Sequence, residues 1–451
     1  MRIIKVGRIF FSIILFFFYA DFSFSQQRDT LVLTLESAVS KALENNWDVL
    51  ISQKDIQKSE EQISEAYSNA FPRLELTANY ARNIKLPVLF IPPNTAFNPT
   101  GETQTFELGS KNSVDAGITL SQVLYSQKVN TAIQIAGEYS EYSKTGTAAT
   151  KQQVTLAVKR TFYTILLARE LVKVSMQNYN AAKANFDNVE LMFKKGAASE
   201  YDYLRSEVQV ANAQPMLLQS ENGLDLALSS LKNLCAIEIN KPVEIRGEFV
   251  FKEVPREEIL AVSSKAVENN PLVKQLKIQE SLLDKNVLVE RSDYFPTLAL
   301  FGQYQYQTQD NSFRIKDYKW ANSIMVGLQV SYLLFDGFGR SARIEQAIID
   351  KEKVGLGLRK LEEGLKVQVI QAEMKMDEAK KRISAQEKSL QQADKALKIA
   401  MTRYKSGVGT QLEIIDTQAA LTFAQTNYSQ AVYDYLIAKS DWEFAVSTSL
   451  D

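Results

Sequence analysis

Glu413 and Asp416 stand three residues apart in a segment of helical character, so both carboxylates fall on one helix face. Carboxylates so placed can hold cations, move protons or sit in solvent, and the rest of the chain narrows the choice. None of the 451 residues is His, which removes the commonest general base and the commonest zinc ligand. Cys235 is the only cysteine, which excludes intrachain disulfides and cysteine-cluster metal sites; following Leu231 and Leu234 near a helix end, it reads as a small buried residue. No nucleophile stands at workable spacing from a base, and there is no glycine-rich phosphate loop. An enzyme would have to work through carboxylates, Lys, Tyr or Ser alone, and no cofactor is implied. Formal net charge is −1, or −3 once residues 1–25 take away three basic residues and Asp21, so nothing favours nucleic acid.

The acids belong to one of two matching turns. Residues 403–418 read Arg-Tyr-Lys-Ser-Gly-Val-Gly-Thr-Gln-Leu-Glu-Ile-Ile-Asp-Thr-Gln, and residues 193–208 read Phe-Lys-Lys-Gly-Ala-Ala-Ser-Glu-Tyr-Asp-Tyr-Leu-Arg-Ser-Glu-Val. Each lies between long segments of helical character and predicts the tight turn of an αα-hairpin. Gly196 or Gly407 ends the first helix in a left-handed conformation, and Ser199 or Thr410 caps the second. No Pro occurs between Thr100 and Gln214 or after Pro296, so a helix over about 128–194 would run about 100 Å at ~1.5 Å per residue. Its apolar face steps by three and four through Tyr179, Ala182, Phe186, Val189 and Phe193, and again through Leu390, Ala393, Leu397, Ala400 and Tyr404. That period specifies left-handed supercoiling against neighbouring helices. Gly355, Gly357 and Gly364 weaken the second long helix by about 1 kcal/mol each, and Pro215 predicts a kink or bulge in the first return helix.

The duplication extends beyond the turns. Ala42-Leu-Glu-Asn45-Asn46 matches Ala266-Val-Glu-Asn269-Asn270, Phe71-Pro72-Arg-Leu74 matches Phe295-Pro296-Thr-Leu298, and Gly117-Ile-Thr-Leu120 matches Gly327-Leu-Gln-Val330. Two repeats are therefore expected, residues 26–236 and 256–451, each a helical segment, a strand pair and a long helical hairpin, joined by a linker at 237–255 containing Pro242, Gly247 and Pro255. The strands alternate with period two: Leu74, Leu76, Ala78 and Tyr80; Val114, Ala116, Ile118 and Leu120; Leu298, Leu300, Gly302 and Tyr304; Ile324, Val326, Leu328, Val330 and Tyr332. Such alternation over about ten residues with aromatic ends suits a membrane β-barrel, a half-buried soluble sheet being the alternative. Two strand pairs cannot close a barrel alone. The connections, residues 81–113 with four prolines and residues 307–321 with polar residues, suit an outer rim.

Residues 1–25 carry a basic n-region (Arg2, Lys5, Arg8), an apolar stretch and a Ser23-Phe24-Ser25 cleavage site, the pattern of a signal peptide. The apolar run is shorter than the roughly 20 residues of a spanning anchor.

From about Leu33 to Val446 the chain resembles the TolC-like outer membrane efflux proteins. The resemblance rests on the Asn-Asn motifs, the Phe-Pro strand starts, Leu333-Leu334-Phe335-Asp336-Gly337 with its copy Val123-Leu124-Tyr125-Ser126, and the glycine turns, in duplicated order. It implies a mixed α and β membrane protein: a homotrimer whose chains each give four strands to a 12-stranded β-barrel in the outer membrane, continued through the periplasm by a coiled α-helical barrel. Such a channel is a passive conduit without chemistry of its own, serving a periplasmic adaptor and an inner-membrane pump that dock at the helical tip. A belt halfway along the helices is expected to be small and built mostly from residues 237–255. The family's aperture acids fall on Glu413, Asp416 and Asp202, and its gate tyrosine on Tyr404. Its usual arginine two residues after the second turn glycine is here Gly409, which leaves one latch bond missing or supplied elsewhere. Three copies of Glu413 and Asp416 would ring a constriction with carboxylates and favour cations. Adaptor contact is expected around Gly196, Ser199, Gly407 and Thr410. The rival reading is a periplasmic coiled-coil scaffold without channel activity.

Overall fold

The computed structural model describes residues 30–447, and the expected signal peptide lies outside the described residues. In chain order the elements are β1 (Leu31–Leu33), α1 (Leu35–Asn45), α2 (Trp47–Ser68), β2 (Arg73–Arg82), β3 (Val88–Ile91), β4 (Gln104–Glu107), β5 (Asn112–Tyr125), α3 (Gln127–Lys194) and α4 (Glu200–Leu234). They continue with β6 (Val243–Ile245), α5 (Arg256–Ser263), α6 (Ala266–Asn269), α7 (Pro271–Arg291), β7 (Thr297–Asp310), β8 (Ala321–Ser331), α8 (Gly339–Lys405) and α9 (Gln411–Ala445).

The Asn-Asn motifs have a local cause. Asn46 breaks α1 from α2 by leaving helical geometry at ψ 135°, and its side chain accepts the Asp48 N–H at 2.9 Å to start the next helix. Its amide also donates to the Leu234 carbonyl at the end of α4 at 2.9 Å. Asn270 repeats the cap by accepting the Leu272 N–H, with Pro271 in the first turn, where its missing N–H costs nothing. The single helical segment expected at the head of each repeat is thus broken at a capping asparagine.

Strands β2, β5, β7 and β8 form one antiparallel sheet in that order. Cross-strand partners share a face, so the register writes the sheet's chemistry in rows. Leu74, Leu120, Gly302 and Val326 form one row; Leu76, Ile118, Tyr304 and Ile324 the next. The opposite face carries Glu75, Thr119, Gln303 and Met325, then Thr77, Gly117, Gln305 and Ser323. One face is apolar across all four strands and the other mostly polar. The apolar face is bare: Leu76 is 74% exposed, Ile324 75% and Val326 71%. A soluble sheet would bury this face, and every residue of edge strand β2 is exposed. Among the described residues no helix is long and apolar enough to cross a membrane.

Below the sheet, α3 (68 residues) and α8 (67 residues) run as unbroken helices, each about 100 Å long. Gly355, Gly357 and Gly364 lie within continuous α8, and α4 continues through Pro215. The heptad face is the sheltered one, with Ala182, Val189 and Ala400 buried at its centre. Helix α3 packs on α4, α2, α7 and α9, and α8 on α9 and α7.

Two apolar clusters fix the helices mid-length. In one, Val158, Phe162, Ile165 and Leu166 of α3 meet Ala38 and Ala42 of α1, Val49 of α2, Leu231 and Cys235. Cys235 is buried there with its thiol donating to the Ala38 carbonyl, and burial pushes that thiol up to about 11. In the other, Val369, Ala372 and Met376 of α8 meet Val432, Tyr435, Leu436 and Trp442 of α9. A Lys159–Glu443 ion pair of 2.7 Å, largely withdrawn from solvent, ties α3 to α9.

Residues 237–255 are more than a linker. Strand β6 pairs parallel with β1, Phe249 packs against both clusters, and the buried Val254 donates its N–H to the Tyr435 hydroxyl at 3.1 Å. Gly247 lies so close to Phe162 that a Cβ would sit 2.9 Å from its ring. The outer connection between β2 and β5 also departs from expectation: it contains a two-stranded hairpin, β3 with β4.

Tyr435→Phe leaves the Val254 N–H buried without an acceptor. We expect a loss of about 1–3 kcal/mol, read as a lower midpoint in helix melting followed by circular dichroism; an unchanged midpoint would show that the belt contributes no stability.

Candidate functional site: the helical tips

Both turns end their first helix in the same way. After α3, Gly196 takes φ +70°, its N–H donates to the Phe193 carbonyl, and the Ala197 N–H donates to the Met192 carbonyl at 2.8 Å. After α8, Gly407 takes φ +76°, its N–H donates to Tyr404, and the Val408 N–H donates to Arg403 at 3.1 Å. These paired bonds satisfy the last carbonyls of each helix and require a residue that tolerates positive φ. The return helices start on side-chain caps: Ser199 Oγ accepts the Asp202 N–H at 3.1 Å, and Thr410 Oγ1 accepts the Glu413 N–H at 3.2 Å.

Geometry divides the acids. Asp202 and Glu413 are both third residues of their helices, where a carboxylate faces the positive end of the helix dipole. Asp202 also accepts the Ser199 hydroxyl at 2.7 Å. Glu413 holds Arg403 across the turn at 3.2 Å, while Arg403 also donates to the Val408 carbonyl. Both acids therefore have local structural work. Asp416, one turn further along, is exposed and has no ion pair or hydrogen-bond partner among the described residues.

Tyr404 brings the two hairpins together. Its hydroxyl lies 3.7 Å from Met192 Sδ on α3, and burial, helped by the negative charge of Asp202, raises the phenol above its ordinary value. Between the hairpins a cleft of about 540 Å³ is lined by Asn185, Asn188, Gln209, Gln418, Met192 and Tyr404. Nearby, Gln411 is 5% exposed, and both polar atoms of its amide lack partners.

Gly409 stands where a side chain cannot. A Cβ there would sit 2.7 Å from the Tyr404 backbone N and 2.9 Å from the Arg403 carbonyl carbon. The close approach of the chain after the turn excludes an arginine at this position in this backbone. Arg403, six residues earlier, is a cation of this tip that is already paired. The sequence lists both partners of the Arg403–Glu413 pair, but they are ten residues apart and meet only because the turn folds back. The amide-lined cleft left one signal, the i, i+3 spacing of Asn185 and Asn188.

The model of the family described as "Outer membrane efflux protein" matches residues 38–236 and 262–442. The chain belongs to the outer membrane efflux protein family. Its two matched segments are the two strand-pair and hairpin units, separated at residues 237–261. Among relatives of this family, the Outer membrane protein TolC of Vibrio cholerae is 21% identical over 74% of this chain and 77% of its own. The Alkaline protease secretion protein AprF of Pseudomonas aeruginosa is 23% identical over 64% of this chain and 60% of its own. The CmeC outer membrane channel of Campylobacter jejuni superposes with a TM-score of 0.72 over 91% of this chain and 85% of its own, at 18% identity. The family consists of outer membrane channel proteins reaching into the periplasm, and these are not enzymes.

Gly407→Ala should destabilise the tip by about 1 kcal/mol through its positive φ alone, and Gly409→Ala by ~1–3 kcal/mol because its Cβ meets backbone. Protease nicking at residues 405–411 checks the order: faster cleavage in the Gly409 variant fits the geometry, and the reverse order contradicts it.

Proposed function

We propose that this chain works as a homotrimer forming the outer membrane channel of a tripartite efflux or type I secretion system. It conducts passively, and a periplasmic adaptor and an inner-membrane pump supply the coupling and the energy. One observation carries the reading: a four-stranded sheet with one bare apolar face and two unpaired edges stands at the end of helices too long for one protomer to cover. Three copies joined edge to edge, β8 of one on β2 of the next, give a 12-stranded barrel whose apolar face meets lipid and whose polar face lines the lumen. The helices of the three copies then shelter one another's exposed apolar residues, such as Leu204, Val208 and Phe423, as a hollow coiled barrel. The duplicated order of elements supports two repeats, with the β6 segment between them read as an equatorial belt.

At the tips, Asp416 is the principal acid of the constriction. It is exposed and unpartnered, whereas Glu413 is neutralised by Arg403 and Asp202 supports its own helix start. Tyr404 acts as the gate residue, through its contact with Met192 across the two hairpins. The adaptor meets the small tip residues Gly196, Ser199, Gly407 and Thr410, whose size admits close packing. A periplasmic scaffold without a channel would need no apolar sheet face, and membrane fractionation separates the two readings.

Single-channel recording tests the gate assignment. Asp416→Asn should cut cation-over-anion selectivity by several-fold, Glu413→Gln much less, and Arg403→Gln should raise it by freeing Glu413. Equal effects of the two acid substitutions would remove the assignment.

A further inference from the structure

The β3–β4 hairpin at the outer end of the sheet is unusual for a rim loop. Leu89 pairs with Phe106 and Phe90 with Thr105, and both faces carry exposed apolar side chains. Phe90 is 64% exposed, Phe97 84% and Ile84 99%. Two-stranded hairpins are marginal in water, yet this one is internally braced. Asn98, fully buried at the bend, donates to the carbonyls of Ile91, Pro92 and Glu102 and accepts from Thr100. At its base, the Lys111 N–H donates to Asn311 and the Asn112 amide to the Ser312 carbonyl, pinning it beside the β7–β8 connection. A braced, pinned hairpin with bare apolar faces is built to be covered.

What covers it follows from charge and from strand order. Its strands and bend, residues 86–109, carry Glu102 and Glu107, while the basic residues of the connection, Lys85 and Lys111, stand at its base. Residues 311–320 contain Arg314, Lys316 and Lys319 against the single Asp317, together with Phe313 (69% exposed) and Ile315 (70% exposed). Among the described residues no salt bridge joins these groups within the protomer. The acidic outer part of the hairpin is repelled by an anionic lipid surface and attracted by a basic apolar loop. The hairpin rises from the outer end of edge strand β2, and the basic loop runs into the outer end of the opposite edge strand β8. Where β8 of one copy meets β2 of the next, the two fall side by side.

We propose that the β3–β4 hairpin is an interprotomer strap, seated on the basic β7–β8 loop of the neighbouring copy across each barrel seam. The proposal rests on the trimer reading above, and its test separates the two. Benzoylphenylalanine in place of Phe90 or Phe97 keeps an aromatic ring at a solvent-facing position and crosslinks what lies against it. In intact cells, irradiation should give a band at twice the protomer mass whose crosslinked peptide comes from residues 311–320 of a second copy. Crosslinks to lipopolysaccharide, or none, in a preparation that is trimeric by native mass would overturn the strap and leave the trimer standing. A monomer by native mass would overturn both. As a second readout, Arg314→Glu combined with Lys316→Glu should reduce crosslink yield several-fold, and adding Glu102→Lys with Glu107→Lys should restore it; no restoration would remove the charge argument.

Discussion

The backbone hydrogen bond at a sheet edge governs this molecule. Inside a bilayer an unpaired N–H or C=O costs several kcal/mol, so a sheet crosses only when it is closed. Here β5 and β7 are paired on both sides, while β2 and β8 each offer one unpaired row. The same two strands carry much of the bare apolar surface, Leu74, Leu76, Ile324 and Val326 among it. Water penalises the faces and lipid penalises the edges. Closure among copies, in lipid, relieves both.

The helices inherit this arrangement. The sheet's four strands give way to helices at both ends of each strand pair, so under the proposed closure the spacing of copies in the barrel would set the spacing of the rods beneath it. The mid-length clusters then lock α1, α3 and α4 on one side and α8 and α9 on the other, with residues 237–255 laid between them and the Lys159–Glu443 pair bridging them. Away from these clusters the rods are held by narrow seams of small residues, Ala182 and Ala400 among them. Burial is sparser toward the tips, and local stability follows buried contact.

Much of this could be read from sequence because its causes are local. A glycine at positive φ, a Ser or Thr three residues before a capped N–H, and an asparagine breaking one helix to start the next each act within a few residues, and so do alternating strands. The parts that escaped are those made by distance. Strand β1 pairs with β6 across more than two hundred residues through three positions. Pro242, Gly247 and Pro255 marked residues 237–255 as a connection, and the packing of Phe249 and Val254 within it depends on partners far along the chain. Pro87, Pro92, Pro93 and Pro99 hid the β3–β4 hairpin, where they flank the strands and leave the ladder residues free to pair. At the tip, the spacing of the acids could be read from sequence but their partners could not: only the folded turn pairs Glu413 with Arg403.

Backbone amide exchange in the detergent-purified protein tests the central claim most directly. If the edges are paired between copies, amides of β2 and β8 exchange as slowly as those of β5 and β7, because every ladder is then closed on both sides. Alternate amides along β2 or β8 exchanging orders of magnitude faster than the inner strands would mean open edges, and the account would be wrong.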